Sequence, residues 1–210
     1  MEHKKTYYSK EFTTPVGTLV VEGPLSSEQL AQYKFDDGLV AFRPAKKQHQ
    51  AVIEIAGLPE GRIIIARLED KIIGYVTFLY PDPLERWSKG KMENLIELGA
   101  IEVSSPYRGL GAGKALLTVS MMDDAMEDYI IFTTEYYWHW DLKGTGLDVW
   151  GYRNILGKMM SSGNLEWYAT DDPEICAHPA NCLLVRFGKR INSESIQKFD
   201  ELRFMNRFMY

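Results

Sequence analysis

The amino-acid sequence predicts one α/β (α+β) domain in which helices flank a mixed, mostly antiparallel sheet. The 210 residues, 45% of them hydrophobic and 25% charged, fit a single globular domain with extensions. Residues 61–67 and 71–80 are rich in β-branched and aromatic side chains and are separated by a short turn, which is typical of an antiparallel hairpin. A glycine-rich turn then joins a strand pattern at 95–103 to a helical pattern, which adds a strand–helix unit to the sheet.

Strands and helices alternate in the first half of the chain. Residues 18–22 have the composition of a strand, and Ser26 is suited to cap a short helix that follows. Residues 46–56 carry apolar side chains on one helical face, and Gly57 and Pro59 end that helix. The hairpin described above follows directly.

The second half continues the alternation after the glycine-rich turn. Leu116, Val119, Met122 and Met126 recur at helical spacing, which predicts a helix from 114 to about 128 with this face on the sheet. The other predicted elements are a strand at 129–134, a helix at 147–160, strands at 165–168 and 183–187, and a terminal helix from Ser193 to about Met209.

Composition limits the organisation of the chain and the classes of function open to it. We expect an N-terminal arm (1–17), one domain (18–188) and a C-terminal helix (189–210) packed on the domain or extending it. No apolar run approaches the roughly 20 residues that span a bilayer, the first residues lack the apolar core of a signal peptide, and two cysteines imply no disulfide framework. A cytoplasmic protein without membrane contact is therefore expected. The sequence does not show the oligomeric state, for which a monomer is favoured. The net charge of −5, without a basic stripe, argues against nucleic-acid binding.

The segment from residue 108 to residue 114 is the most informative part of the sequence. A glycine-rich turn at the start of a helix presents backbone N–H groups that no helix carbonyl satisfies, and the helix dipole adds partial positive charge there. Such a turn is a seat for a phosphate or a diphosphate. The residues of this loop are Arg108, Gly109, Leu110, Gly111, Ala112, Gly113 and Lys114.

Spacing separates three kinds of phosphate loop. A Walker A loop fails because Arg108 replaces its first glycine and Ala115 replaces its Ser/Thr. A G-x-G-x-x-G dinucleotide fingerprint fails because Lys114 or Leu116 would occupy its last glycine. The pattern Arg/Gln-x-x-Gly-x-Gly/Ala is filled without error. A glycine turn that merely caps the helix is the alternative interpretation.

This loop resembles the coenzyme A loop of the GNAT acyltransferases, the Gcn5-related N-acetyltransferase superfamily. The preceding Val103-Ser-Ser-Pro-Tyr-Arg-Gly109 and the order of elements over about 18–188 resemble the GNAT fold as well. The resemblance implies acetyl-CoA as cosubstrate and no metal. It implies that the backbone N–H groups near Ile101 and Val103 contact the thioester carbonyl and the pantetheine, while the loop N–H groups hold the diphosphate, with Arg108 and Lys114 supplying charge.

Amine acetylation requires that the amine lose a proton, because a lysine with a pKa near 10.4 is charged at neutral pH. Glu97 is the first candidate for the base, since it lies eleven residues before Arg108, where histone-type GNAT enzymes carry their glutamate. Its apolar neighbours would raise its pKa. A structural glutamate is the alternative. Glu102 is the rival carboxylate for this role, although strand parity places it on the opposite face from Glu97.

The loop after the strand at 129–134 is the candidate acceptor site. Its run of aromatic and imidazole side chains would form a wall, and an acidic group would attract a cationic amine. A packed surface loop is the alternative. The candidate substrate-binding residues are Glu135, Trp138, His139, Trp140 and Asp141.

Two further features concern a possible general acid and a possible metal site. Many GNAT enzymes protonate the departing thiolate with a tyrosine, but the matching stretch here, 158–163, contains none, and Tyr152 is a weak substitute. Cys176, His178 and Cys182 form a C-x-H-x₃-C pattern, but no fourth ligand is close by in sequence, so buried thiols are favoured over zinc.

Several longer segments resemble one branch of the GNAT family that acetylates a lysine of acetyl-CoA synthetase and thereby inactivates it. These segments are 14–17, 53–62, 133–146 and 171–176. The resemblance implies that enzyme as protein substrate and partner. An acetyltransferase for small-molecule amines and a non-catalytic coenzyme A-binding regulator remain the alternatives.

Overall fold

A computed structural model describes residues 1–208, so the predicted end of the terminal helix at Met209 lies outside the described residues. The chain divides into two compact units. The N-terminal unit comprises residues 2–79 and 98–126. The C-terminal unit comprises residue 1, residues 80–97 and the chain from 127 onward. No helix in the described part of the chain is long and apolar enough to cross a bilayer.

The N-terminal unit contains the predicted hairpin and the strand–turn–helix segment. Its strands are β1 (Tyr8–Thr14), β2 (Gly17–Gly23), β3 (Lys34–Phe35), β4 (Arg62–Leu68), β5 (Lys71–Leu79) and the second part of β6 (Leu95–Val103). Its helices are α1 (Ser27–Leu30), α2 (Ala45–Ala56) and α3 (Ala112–Ser120). Ser26 caps α1 as predicted, because its side chain and that of Gln29 form a reciprocal capping box.

The sheet of this unit follows the order β1-β2-β4-β5, with β6 next to β5. The pairs β1–β2, β2–β4 and β4–β5 are antiparallel, and the short β3 pairs with β5 in parallel. Residues along β4 and β5 are buried almost without interruption, because helices cover both faces of these central strands. Val52 of α2 belongs to one apolar cluster with Ile63, Ile65 and Tyr75, whereas α3 packs on β2, β4 and β5 through its own buried face.

The C-terminal unit contains the first part of β6 and the rest of the chain. Its further strands are β7 (Ile130–Glu135), β8 (Glu166–Tyr168) and β9 (Cys182–Phe187), and its helices are α4 (Leu142–Thr145), α5 (Val149–Met160), α6 (Pro173–Cys176) and α7 (Ser193–Arg203). β6 pairs with β7 in parallel, whereas β7–β9 and β8–β9 are antiparallel. Phe132 of β7, Trp87 and Phe199 of α7 stack at the centre of its apolar cluster.

The predicted fold class is confirmed, and β6 has the predicted bounds, but the helix after the glycine-rich turn was predicted too long. It ends at Ser120, and Asp124–Asp128 form a separate 3₁₀ turn. The break lies at Asp123, whose buried carboxylate pairs with Arg62 at 2.6 Å and accepts a hydrogen bond from the Ala125 N–H. This tertiary ion pair overrides the helical periodicity of the sequence.

Other differences concern short or polar elements. Residues 8–14 of the predicted arm form β1, which pairs along its whole length with β2 although its side chains are mostly exposed. The terminal helix is capped by Asn192 rather than Ser193, and it ends at Arg203, short of the predicted Met209, with a separate 3₁₀ turn at Met205–Phe208. The sequence analysis did not predict β3, α4 or α6.

Candidate active site

The glycine-rich loop of the N-terminal unit has the geometry of an anion seat. Gly109 and Gly111 have φ of +86° and +81°, which favour glycine, and Gly111 is the N-cap of α3. No side chain caps this helix, so its first-turn N–H groups remain available to a ligand. A Cβ at either glycine would meet no protein atom within 4 Å, which leaves open space beside the loop. These residues fit a diphosphate.

The remaining predicted cofactor residues surround this seat in the same unit. Ala112 is buried, whereas Arg108 and Lys114 are exposed cations on either side of the helix start. Arg108 also turns towards β6, where its Nε donates to the Val103 carbonyl at 3.4 Å. The other members of the predicted set, namely Ile101, Val103, Leu110 and Gly113, are half-buried.

Glu97 lies in the C-terminal unit beside an apolar cluster. It stands opposite Phe132 in the parallel register of β6 and β7 and shares a strand face with Leu95, which packs in that cluster. Burial, together with the negative charges of Glu85 and Asp82, raises the pKa of Glu97 to about 8. A carboxylate of that pKa is matched to proton transfer near neutral pH.

Glu102 lies in the N-terminal unit and has a different environment. Its side chain is only 6% exposed, and its two oxygens accept hydrogen bonds from the Ala41 N–H at 2.7 Å and the Tyr75 hydroxyl at 2.8 Å. Burial raises the pKa of Tyr75, and the negative charge of Glu102 and the hydrogen bond to it act in the same direction. Glu102 therefore ties the segment around residue 41 to the sheet.

Acidic side chains surround the Glu97 face of the C-terminal unit. Burial raises the pKa of Glu85, and Asp82, Glu174 and Asp172 raise it further through their negative charge. Because Glu85 also acts on Glu97, one negative field connects these groups. Such a field attracts an ammonium group and raises the proton affinity of Glu97.

An aromatic pocket of about 500 Å³ lies within the same unit. We call it the acceptor pocket, and its lining residues are Tyr136, Trp138, His139, Pro173, Glu174 and Ala177. The Tyr136 and Trp138 rings stack at 4.9 Å, and His139 packs edge-on against both. Burial raises the pKa of Tyr136 to about 12, with contributions from Asp172, Glu174 and Glu85, so the acidic field reaches the pocket.

The structure does not bring all predicted acceptor residues into this pocket. Glu135 pairs with Cys182 across β7 and β9 and, by strand parity, points to the face opposite Phe132. Burial raises the pKa of Glu135 to about 7, while its hydrogen bond from the Trp140 indole at 3.2 Å acts in the opposite direction. The Trp140 ring stacks on Tyr152. Asp141 accepts from the Gly144 N–H and thereby caps α4.

The acidic neighbours Asp82 and Glu85, and the α6 residues that line the acceptor pocket, were not predicted from the sequence. Asp82 and Glu85 lie in a loop without periodic pattern, so no sequence signal placed them near Glu97. The α6 residues did have a signal. Asp172 followed by Pro173 and Glu174 is a helix-start pattern, and in the structure the Asp172 side chain caps α6 through the Glu174 N–H.

The cysteine and histidine pattern has an ordinary structural setting. Cys176 is exposed, and Cys182 is buried with its thiol pKa raised by burial. The His178 ring packs against Tyr137 at 4.2 Å. Residues 1–208 contain no group of three or more His, Cys, Asp or Glu side chains arranged to hold a metal ion.

Comparisons with known proteins place this geometry in a family. Residues 29–142 match the model of the acetyltransferase (GNAT) family. The chain is 67% identical to the acetoin utilization protein AcuA of Bacillus licheniformis and 64% identical to that of Bacillus subtilis, with full coverage of both chains in each case. A crystal structure of an acetoin utilization protein from Exiguobacterium sibiricum has a TM-score of 0.96 at 57% identity and covers 99% of this chain and 98% of its own.

These matches extend beyond the glycine-rich loop to the whole chain. The family model covers more than half of the chain, and the relatives align with it from end to end. The similarity therefore includes the loop, the sheet and the terminal elements. The chain therefore belongs to the GNAT acetyltransferase family and is an acetyl-CoA-dependent N-acetyltransferase.

Proposed function

We propose that this enzyme acetylates a lysine side chain of acetyl-CoA synthetase and thereby inactivates it. The relatives are named for acetoin utilization, and the segments at 133–146 and 171–176 support the finer assignment by resemblance. These same segments contribute residues to the acceptor pocket. The proposal includes a cytoplasmic location.

The observation that carries the proposal is Glu97 with a pKa of about 8 in an acidic and aromatic surrounding. A lysine ammonium has a pKa near 10.4, so its deprotonation at neutral pH costs about 4–5 kcal/mol. A carboxylate held at a raised pKa accepts that proton more readily than an ordinary glutamate. The negative charges of Glu85, Asp82 and Glu174 attract the cationic acceptor and strengthen the base.

The proposed reaction balances as a direct transfer. Glu97 takes a proton from the ammonium, and the free amine attacks the thioester carbonyl of acetyl-CoA. A C–N bond forms, the C–S bond breaks, the attacking nitrogen releases its second proton to solvent as the amide forms, and the coenzyme A thiolate leaves and takes a proton from solvent. Backbone N–H groups of β6 near Ile101 and Val103 are the proposed donors to the thioester oxygen. The loop from 108 to 114 holds the diphosphate through its N–H groups.

The acceptor pocket favours a side chain carried by a protein. Trp138 is 50% exposed and His139 is also exposed, so this wall of the pocket opens to solvent. A lysine on a protein surface can enter such a pocket while the rest of the protein stays outside. A site for small amines would enclose its ligand more completely.

The direct test incubates the enzyme with acetyl-CoA and purified acetyl-CoA synthetase. We expect one or a few acetylated lysines by mass spectrometry and a matching loss of synthetase activity, and Glu97→Gln should slow both by about 10²–10⁴-fold. Turnover of free amines without synthetase modification would instead establish the small-amine alternative. Coenzyme A binding together with an effect on the synthetase that survives Glu97→Gln would establish the non-catalytic regulator.

A further inference from the structure

A second groove of the C-terminal unit is not used by the proposed chemistry. It lies between α5 and β8, has a volume of about 550 Å³, and we call it the α5 groove. Its lining residues are Trp150, Arg153, Asn154, Gly157, Lys158, Ser161 and Trp167. Trp150 and Trp167 are 52% and 42% exposed, which is a large apolar exposure for a groove wall.

The α5 groove is positively charged. The Arg153 guanidinium lies 4.4 Å from the Trp167 ring centroid and 5.8 Å from that of Trp150. Its buried Nε has no hydrogen-bond partner among the described residues. Lys158 is exposed one helical turn further along α5. The groove therefore combines two indole faces with two cations, one of which retains an unused donor.

An aromatic band connects the α5 groove with the acceptor pocket. The His178 ring packs against Tyr137 at 4.2 Å and against Trp150 at 6.5 Å, and Tyr137 packs edge-on against Trp138 of the pocket wall. All these residues belong to the C-terminal unit. The two concave sites therefore form the ends of one surface, joined by ring contacts through the half-buried Tyr137 and His178, with negative charge at the acceptor pocket and positive charge at the α5 groove.

We propose that this surface docks the protein substrate, with the acceptor lysine in the acceptor pocket and an acidic side chain of the same substrate on Arg153 and Lys158 in the α5 groove. The charge pattern selects an occupant that carries both signs. Trp, Tyr and Arg are the residues that most often dominate protein–protein binding energy, and all three types occur along the band. The inference rests on the proposed function and adds the recognition surface that a single lysine pocket lacks.

The first test of the docking surface is a single charge reversal at an exposed residue. Lys158→Glu should raise the KM for acetyl-CoA synthetase by about tenfold, because a rim charge mainly changes the rate and salt dependence of association. The kcat and the KM for acetyl-CoA should stay within about twofold, as should the rate on a short lysine peptide that cannot reach the α5 groove. Lys47→Glu reverses an exposed lysine on α2 and is the matched control.

A second variant tests the aromatic part of the surface. Trp150→Ala removes a half-exposed indole and should also raise the KM for the synthetase, with a thermal melt to verify folding. If the wild-type enzyme acetylates the synthetase but Lys158→Glu leaves that KM unchanged, the docking inference is wrong and the proposed function stands. A rise in the KM for acetyl-CoA would assign the groove to the cofactor and also overturn it. Failure of the wild type to acetylate the synthetase would remove the proposed function and the inference together.

Discussion

Two glutamates of one strand have separate tasks because their surroundings differ. Glu97 faces an apolar cluster and negative charges, which raise its pKa to about 8. Glu102 has both oxygens satisfied by donors from Ala41 and Tyr75. The first environment suits the proposed role of Glu97 as a base, whereas the second makes Glu102 a structural link. Strand parity in the sequence separated their faces, but only the structure identifies the partners.

The raised pKa of Glu97 predicts a pH-dependent cost to stability. The folded-state pKa of about 8 exceeds the ordinary value of 4.5, so the folded protein keeps a proton that the unfolded chain has released. Stability is therefore fully present below pH 4.5, falls as the pH rises towards 8, and is constant above that. Glu97→Gln should remove this cost and stabilise the protein by about 1–3 kcal/mol at pH 8.5, after discounting for partial exposure.

Urea unfolding at pH 4.5 and pH 8.5 measures this effect. The gain of Glu97→Gln over the wild type should be near zero at the lower pH and largest at the higher pH. A gain that does not depend on pH would show that Glu97 titrates normally in the folded protein.

Glu102→Gln should instead destabilise the protein and leave kcat nearly unchanged. An amide offers one acceptor oxygen, so its NH₂ group would face either the Ala41 N–H or the Tyr75 hydroxyl and leave a buried donor unsatisfied. We expect a loss of about 1–3 kcal/mol in the free energy of unfolding, with kcat within a few-fold of the wild type. A wild-type melting curve combined with a kcat as low as that of Glu97→Gln would instead make Glu102 the catalytic base.

At the level of elements, the sequence predicted the strands and helices that depend on local residue patterns. The β4–β5 hairpin and β6 follow from runs of β-branched residues, and α2 follows from its apolar face and its terminal Gly57. The end of α3 was missed because the buried Arg62–Asp123 pair joins positions that are 61 residues apart. The exposed side chains of β1 carry no strand alternation, so its pairing with β2 alone defines it.

The loop before α3 yields a prediction about cofactor affinity. Alanine at Gly111 must adopt a φ near +81°, and its methyl group would enter the open space available to the diphosphate. Gly111→Ala should raise the KM for acetyl-CoA by about tenfold, in addition to a conformational cost of roughly 1–2 kcal/mol. Gly146, with a φ of +67° and no protein atom within 4 Å of its Cβ position, is the strain-matched control.

Isothermal titration calorimetry with coenzyme A separates the two contributions. Both alanine variants should lose similar thermal stability, but only Gly111→Ala should bind coenzyme A more weakly. Equal affinity in Gly111→Ala and the wild type would mean that the loop is a helix cap and not the diphosphate seat.

At the scale of the whole molecule, the family and its cofactor followed from one short loop, whereas the acceptor site did not. The pocket is assembled from the aromatic run after β7 and from α6, and its acidic field comes from Asp82 and Glu85 as well. These segments are far apart in sequence and have no shared period. Trp138 and His139 line one pocket in the structure, whereas Glu135 and Trp140 are joined by a hydrogen bond and do not line it, which the sequence could not predict.

The acidic and aromatic surface of the C-terminal unit is the part of the molecule on which the proposed protein substrate would bind. In that proposal the acceptor pocket attracts the ammonium, and the aromatic band beyond it offers contact area that a metabolite would not use. Under the proposed function, substrate choice depends on the surface of the C-terminal unit, while acetyl transfer depends on Glu97 and the cofactor loop.

The pH dependence of kcat/KM for acetylation, compared between the wild type and Glu97→Gln, tests the assigned role of Glu97 most directly. For the wild type we predict a rise with unit slope that levels off at an apparent pKa near 8, because the base must be ionised in the free enzyme. In Glu97→Gln the rise of kcat/KM with an apparent pKa near 8 should disappear. Its kcat/KM should be much lower and should increase with pH only up to the pKa of the acceptor amine itself, about 10.4 for lysine. Identical profiles and similar rates in the two enzymes would contradict general-base catalysis by Glu97.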